Sequence, residues 1–181
     1  MEELAFWSIV EGCRTEAGGN TERLAQLVLR RLKTLSPDEI VEFEELWFRV
    51  QDELLHWPVR DAGTLLLGPF DDESFTAVQD WIVSHGRAVI RRIQEDPDSL
   101  VELAADRHNA RIDWFCGLPL EAHIAVAGCP FAMDEWRGPE APTGSPAVLT
   151  DEDEARRRFP RLTAYLDENP WIERPWSDRA K

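Results

Sequence analysis

Large apolar residues recur every three or four positions along much of the chain, which is the spacing of one face of an amphipathic helix. The first such stripe covers residues 6–13, and the pair Gly18 and Gly19 predicts the end of its helix. A second stripe covers residues 24–35, and Asn20 is placed to cap the helix that carries it. The chain is therefore predicted to begin with two helices.

The third predicted helix has the clearest start in the sequence. Ser36 is followed by Pro37 and then by Glu39, a pattern typical of an N-cap, a first-turn proline and a capping box. Large apolar side chains then recur by three and four as far as Trp57, over about five helical turns. We expect Pro58 to interrupt this helix.

Three shorter helices are predicted after it, around residues 59–67, 75–82 and 87–94. Either Asp71 or Asp72 is expected to cap the second of them, and Gly86 is expected to be its C-cap. Asp96 and Pro97 should end the third. Short turn signals thus separate every helix in the middle of the chain.

The C-terminal third has a weaker pattern. Residues 104–120 show poor periodicity and are assigned to no element. Residues 120–132 predict a helix, whereas the glycines and prolines of residues 138–146 predict a loop. A last helix is expected after Asp151, and Pro160 should kink or split it.

Strand-like alternation is nowhere sustained in the sequence. We therefore predict an all-α or mainly α fold, a compact irregular helical bundle with a loop-rich C-terminal arm. A chain of 181 residues fits one domain, which we place at residues 1–166, with a tail at 167–181.

Composition is ordinary for a folded globular protein, with 43% hydrophobic and 30% charged residues. No run approaches the roughly 18 apolar residues that a membrane span needs, and the first residues lack the basic start of a signal peptide. We therefore expect a cytoplasmic protein without a membrane partner. The three cysteines, Cys13, Cys116 and Cys129, are odd in number and widely spaced, which favours reduced thiols.

The negative charge is concentrated in one part of the chain. The formal net charge is −15, and residues 36–80 hold 12 acidic and 2 basic side chains, a net charge of −10. Such a surface repels phosphate backbones, so no nucleic-acid partner is expected, and it favours a basic protein partner or a cation. The alternative is a solvated helix face that keeps the protein soluble, which is the commoner meaning of a charge run.

Several short motifs combine with these patterns: Phe6-Trp7, Leu35-Ser36-Pro37, Asp71-Asp72-x-x-Phe75, Gly86-Arg87, Asp96-Pro97-Asp98-x-Leu100, Pro142-x-Gly144 and Arg158-Phe159-Pro160-Arg161-Leu162. Together they resemble an uncharacterised bacterial family, DUF4240, which is frequent in actinobacteria. The resemblance extends from about Phe6 to about Leu166. It implies a shared fold, and it implies no activity and no cofactor.

The paired aspartates are the first candidate site. With Glu73 they offer carboxylates for a hard cation or for a general base. The alternative is that Asp71 and Asp72 cap a helix by accepting its free N–H groups. Arg87 is the first candidate for a charge partner if the pair is buried.

Metal binding is not expected elsewhere. Cys116, His123 and Cys129 offer zinc-ligand types, but separations of seven and six residues fit no standard zinc signature. No phosphate-binding loop or dinucleotide fingerprint appears, so we predict neither a metal nor a cofactor.

Eight tryptophans with one tyrosine are unusual, and Trp57, Trp81, Trp114 and Trp136 are candidates for a pocket wall or a contact surface. Packing in the core is the alternative, which we prefer for Trp81 because it lies on an apolar stripe.

Two functions from different classes remain. The leading hypothesis is a non-catalytic binding or regulatory protein that uses the acidic region with aromatic anchors to hold a basic protein partner. The other is a small enzyme with an acid–base or metal-assisted site near Asp71, Asp72, Arg87 and His108. A pocket that holds two of those four groups favours the enzyme, whereas a convex acidic face favours the binding protein. The sequence leaves the oligomeric state open.

Overall fold

The computed structural model describes residues 1–131, 141–170, 172 and 174–176. Its α-helices are α1 (Glu3–Ala17), α2 (Thr21–Leu32), α3 (Pro37–Asp52), α4 (Trp57–Leu67), α5 (Asp72–Ser84), α6 (Arg87–Glu95), α7 (Leu118–Ala127), α8 (Glu152–Arg158) and α9 (Pro160–Glu168). A 3₁₀ segment, Pro97–Asn109, lies between α6 and α7. The only strand-like pairing in these residues is an isolated bridge between His56 and Thr143. The predicted mainly α fold is thus confirmed.

Side-chain caps start four of these helices where the sequence predicted them. Asn20 accepts a hydrogen bond from the backbone N–H of Arg23 at 2.8 Å, and Ser36 and Glu39 form both bonds of the capping box. Asp71 caps α5, and Asp151 accepts the backbone N–H groups of residues 153 and 154. Local chemistry therefore sets the start of four of the nine described α-helices.

The core is centred on aromatic side chains of α1 and α3. Phe6, Phe43 and Trp47 are fully buried, and the Trp47 ring stacks on Phe115 with 3.8 Å between centroids. Trp114 meets the Trp47 ring edge-on at 5.4 Å. Residues 104–120, which show no helical pattern in the sequence, therefore run into the centre of the molecule, where Trp114 and Phe115 complete the core.

The long third helix was predicted to extend too far. Helix α3 ends at Asp52, and Trp57 begins α4 with Pro58 in its first turn. The backbone between the two helices pairs with a distant loop: the Trp57 N–H donates to the Thr143 carbonyl at 2.8 Å, and the Thr143 N–H donates to the Leu55 carbonyl at 3.0 Å. This pairing satisfies groups that a continuous helix would have used.

Gly86 also differs from its predicted role. It precedes α6 as the N-cap, with φ +92°, whereas His85 caps the C-terminus of α5. A Cβ built on Gly86 would lie 2.8 Å from Glu11 Oε1, and that oxygen accepts the backbone N–H of Arg87 at 3.1 Å. Glycine is favoured here by the positive φ, and a larger residue would also have to displace the Glu11 side chain.

The C-terminal helices are fixed to the rest of the molecule through two buried aspartates. Asp98, 3% exposed, accepts the backbone N–H of Arg161 at 2.7 Å and that of Leu162 at 2.9 Å. Asp61, 5% exposed, accepts the backbone N–H of Ala147 at 2.6 Å, and burial raises its pKa. The predicted loop-rich arm is thus held against α4 and the 3₁₀ segment by specific bonds.

Within the described ranges, each helix is too short or too polar to pass through a bilayer.

Candidate functional site

The paired aspartates begin α5 and act on different partners. Asp71 is the N-cap, and its carboxylate accepts the backbone N–H of Ser74 at 2.9 Å. That backbone bond is the main reason why the pKa of Asp71 is lowered, and a hydrogen bond with the Ser74 side chain lowers it further. Asp72 is 94% exposed and forms a salt bridge with Arg60 at 2.6 Å. The alternative of a helix cap therefore describes Asp71.

This cap gives a first prediction. Replacing Asp71 by Asn should leave the free energy of unfolding nearly unchanged, because an Asn side chain caps about as well, whereas Asp71→Ala should lower it by about 1 kcal/mol. Urea denaturation of the two variants measures both changes. Equal losses in the Asn and Ala forms would contradict a simple cap.

Trp57 and Asp72 lie on the same arginine, Arg60. The Arg60 guanidinium lies 5.8 Å from the centroid of the half-buried Trp57 ring and 5.3 Å from that of Phe75. Asp72 bonds to this same guanidinium. Trp57 and Asp72 thus both contact Arg60. The ion pair between Arg60 and Asp72 lies at the surface, and such pairs contribute little to stability.

Arg87 and His108 lie elsewhere. The Arg87 side chain forms a salt bridge with Glu3 of α1 at 3.1 Å, and the charge partner of Asp72 is Arg60 instead. His108 lies on the 3₁₀ segment and borders a cavity of about 660 Å³ together with Arg107 and Arg111. The structure therefore does not gather the four residues of the enzyme hypothesis into one pocket.

Trp81 belongs to the core, as preferred, and its indole N–H donates to Asp106 at 3.0 Å. Arg14 bonds to the same carboxylate at 2.6 Å. Burial alone would raise the pKa of Asp106, but hydrogen bonds from Arg14, Trp81 and Asn109 lower it to about 2. Burial and the nearby Arg14 charge lower the pKa of His85 to about 4. This cluster joins α1, α5 and the 3₁₀ segment.

The last two tryptophan candidates do not form a contact surface in the described part of the chain. Trp114 is 6% exposed and packs in the core against Trp47. Trp136 lies outside the described residues.

A second cavity lies inside the acidic region, between α3, α5 and the loop before α7. Its volume is about 570 Å³, within the range of cavities that bind small molecules. Its apolar lining includes Phe48, Ala77, Phe115 and Leu120. Asp80 lines it as well, and we call it the Asp80 cavity.

Asp80 is the most perturbed carboxylate of this cavity. Only 3% of the residue is exposed, and its Oδ1 accepts the Trp47 indole N–H and the Gln51 amide N–H, both at 2.6 Å. Burial raises the pKa of Asp80 to about 7, and the nearby charge of Asp113 adds to the rise. The two hydrogen bonds offset this only in part. Asp80 therefore keeps its proton to a higher pH than an ordinary aspartate does.

Three more carboxylates border the Asp80 cavity: Glu44 from α3, Glu73 from α5 and Asp113 from the loop. Across residues 1–131 and 141–170, none of these four acidic groups forms a salt bridge. Arg111 also lines the cavity, but its guanidinium donates to the carbonyls of residues 67, 68 and 69 at 2.7, 3.3 and 3.1 Å. The negative charge of the cavity is thus left without a direct counter-ion in this part of the chain.

The remaining titratable group at the cavity is Cys116. The charge of Asp113, together with burial, raises the pKa of this thiol, which keeps it protonated and weakly nucleophilic. In the described ranges, no three His, Cys, Asp or Glu side chains are grouped as a metal site requires. The chemistry of the cavity is therefore that of carboxylates beside aromatic walls.

Sequence reasoning identified the acidic region and missed Asp80 itself. The structure shows what the sequence did not: every residue of α5 from Ala77 to Ser84 is buried, Asp80 among them. An aspartate within such a helix requires a buried partner or a cavity. The sequence pattern alone names neither.

The residues of the Asp80 cavity lie within the part of the chain that matches a known family. The model of a family described as "Protein of unknown function (DUF4240)" matches residues 1–121, a range that includes every residue named at the Asp80 cavity. No curated protein and no solved structure matches the chain. The motifs after residue 121 that carried part of the resemblance lie beyond the matched range. Since the match spans 121 of 181 residues, the chain belongs to the DUF4240 family.

Proposed function

We propose that the protein is a non-catalytic, cytoplasmic binding protein that holds a basic protein partner at the Asp80 cavity. The observation that carries this proposal is the set of four acidic groups around an apolar cavity, with the one lining arginine anchored on backbone carbonyls. The partner is expected to place positive charge at the mouth and apolar surface against the walls.

The concave shape of the site strengthens its attraction for cations. Low-dielectric walls such as Phe48 and Phe115 concentrate the field of nearby charges, so a concave acidic site attracts cations more strongly than a flat one. The acidic face therefore differs from the convex surface that a purely solvating role would give. Steering of this kind raises association rates and is weakened by salt.

Acid–base catalysis is the second candidate, and the pKa of about 7 for Asp80 favours it, because a general base works best near the ambient pH. Two observations speak for binding instead. The neighbouring Cys116 thiol is held protonated, and Asp71 is engaged in capping α5. In addition, none of the four residues of the enzyme hypothesis lines the cavity.

Neutralising the mouth of the cavity tests the proposal. The double variant Glu44→Gln, Glu73→Gln should weaken binding of a fluorescently labelled oligo-arginine peptide by about tenfold at low salt, roughly 1.4 kcal/mol. Fluorescence anisotropy at several salt concentrations measures the affinity. The proposal expects the difference to shrink as salt rises.

The matched control removes the same charge elsewhere. Asp153 and Glu168 are exposed residues of α8 and α9, so Asp153→Asn with Glu168→Gln changes the net charge equally. This control should bind the peptide almost as well as the unaltered protein. Equal weakening in both double variants would show general attraction to an acidic protein and would defeat the proposal.

A further inference from the structure

The two oxygens of the Asp80 carboxylate are in different situations. Among the described residues, both hydrogen bonds to this group end on Oδ1, from Trp47 and from Gln51. A carboxylate oxygen has about two lone-pair sites, so Oδ1 is saturated. Oδ2 remains as the acceptor for a ligand in the cavity.

The wall beside Asp80 is rigid. One face of the Phe115 ring is stacked on the fully buried Trp47 ring, with an angle of 5° between the planes, and the side chain lines the cavity. Trp47 also holds the Asp80 carboxylate through its indole N–H. The carboxylate and the aromatic wall therefore have fixed relative positions, which lowers the entropy lost when a ligand binds.

The acidic groups of the cavity come from three elements, and no three of them in the described residues are grouped as one metal ion would require. Glu44 belongs to α3, Glu73 and Asp80 to α5, and Asp113 to the loop before α7. A ligand that spans such a set needs several N–H donors pointing in different directions. A guanidinium carries five donors in a plane, and its flat face stacks on aromatic rings.

The protein's own arginine does not occupy this position. Arg111 reaches the turn at residues 67–69, where one nitrogen contacts three carbonyl oxygens. The carbonyls hold this guanidinium away from the carboxylates, so the cavity stays open to an external cation.

We propose that the Asp80 cavity binds one guanidinium group on an apolar stem, with an N–H donating to Asp80 Oδ2 and the flat face against Phe115. This inference rests on the proposed function, because an arginine side chain of a basic partner is one source of the group. A free alkylguanidine is the other source, and its stem lies along Leu120.

The test uses butylguanidinium as the probe, with butylammonium and neutral 1-pentanol for comparison. Isothermal titration calorimetry measures binding to the unaltered chain, to Asp80→Asn and to Asp61→Asn. The amide introduced by Asp80→Asn retains an oxygen that accepts from Trp47 and Gln51, so the fold is expected to persist. Asp61 is a second buried carboxylate outside the cavity, which makes its variant a matched control.

Butylguanidinium is expected to bind the unaltered protein and Asp61→Asn equally, and to lose about tenfold or more in affinity for Asp80→Asn. Butylammonium should bind more weakly than butylguanidinium, and pentanol should not bind measurably. Equal affinity for Asp80→Asn, or tighter binding of butylammonium, would overturn the inference.

The oligo-arginine peptide separates this inference from the proposed function. If the peptide binds and responds to Glu44→Gln with Glu73→Gln, but butylguanidinium does not bind at millimolar concentration, the inference fails and the proposed function stands. If butylguanidinium binds through Asp80 and the peptide does not, the site belongs to free guanidines and the proposed protein partner is wrong. If neither binds, both fail.

Discussion

Replacing Asp98 by Ala is expected to lower the free energy of unfolding by about 2–4 kcal/mol, because the change leaves buried N–H donors without an acceptor. The Asp98 carboxylate accepts the backbone N–H groups of Arg161 and Leu162 and also bonds to the Arg161 side chain. It thus caps α9 from a distant part of the chain. Urea denaturation followed by circular dichroism measures the loss.

Asp151→Ala is the matched control for this change. Asp151 is also an aspartate that caps a C-terminal helix, but it is exposed and belongs to the same local segment as α8. Asp151→Ala should lower the free energy of unfolding by about 1 kcal/mol. If Asp98→Ala were no more harmful than Asp151→Ala, the attachment of α9 through Asp98 would be wrong.

Local signals in the sequence were sufficient to predict the starts of four helices. Asn20 and Ser36 cap the helices that follow them, as predicted. Asp71 is the one of the two candidate aspartates that caps α5, and Asp151 caps a helix that begins at the predicted place. Such caps depend only on residues within one helical turn, so a single sequence contains the needed information.

Boundaries set by distant partners could not be predicted in this way. The end of α3 depends on backbone pairing between residues 55–57 and Thr143, which is far along the chain. The same limit applies to Trp114 and Phe115, which have no helical pattern and still fill the core beside Trp47. Tertiary contacts determine both features.

The candidate site was predicted by region and not by residue. The net charge of −10 lies over residues 36–80, a range that contains three of the four acidic groups of the Asp80 cavity. The Asp80 cavity, however, is built from α3, α5 and the loop before α7, and only their packing reveals that Asp80 is buried at their junction. Candidates chosen for their motif, such as Asp71, proved to have structural bonds.

Asp80→Asn is expected to raise the free energy of unfolding above neutral pH. In the unfolded chain an aspartate has a pKa of about 3.9, whereas burial raises that of Asp80 to about 7 in the folded protein. Between these values the folded state holds a proton that the unfolded state has lost. Protonated Asp80 therefore makes its full contribution to the free energy of unfolding below about pH 4. This contribution is lost as the pH rises toward 7.

The Asn variant lacks this titration and keeps an acceptor for Trp47 and Gln51. The difference in stability between the two proteins should therefore grow from about pH 4 to about pH 7 and stay constant above it. For a chain of this size, each kcal/mol gained raises the melting temperature by about 2–4 °C. A carboxylate that lowers stability in this way is typical of a functional site.

The most direct measurement is the free energy of unfolding of the unaltered protein and of Asp80→Asn from about pH 4 to about pH 8, each with and without butylguanidinium. We predict that Asp80→Asn is the more stable protein at the upper end of this range, and that the guanidinium stabilises only the unaltered protein, since it favours the charged carboxylate. If Asp80→Asn were less stable at every pH and the guanidinium stabilised both proteins equally, Asp80 would be a structural residue and the cavity would not be a cation site.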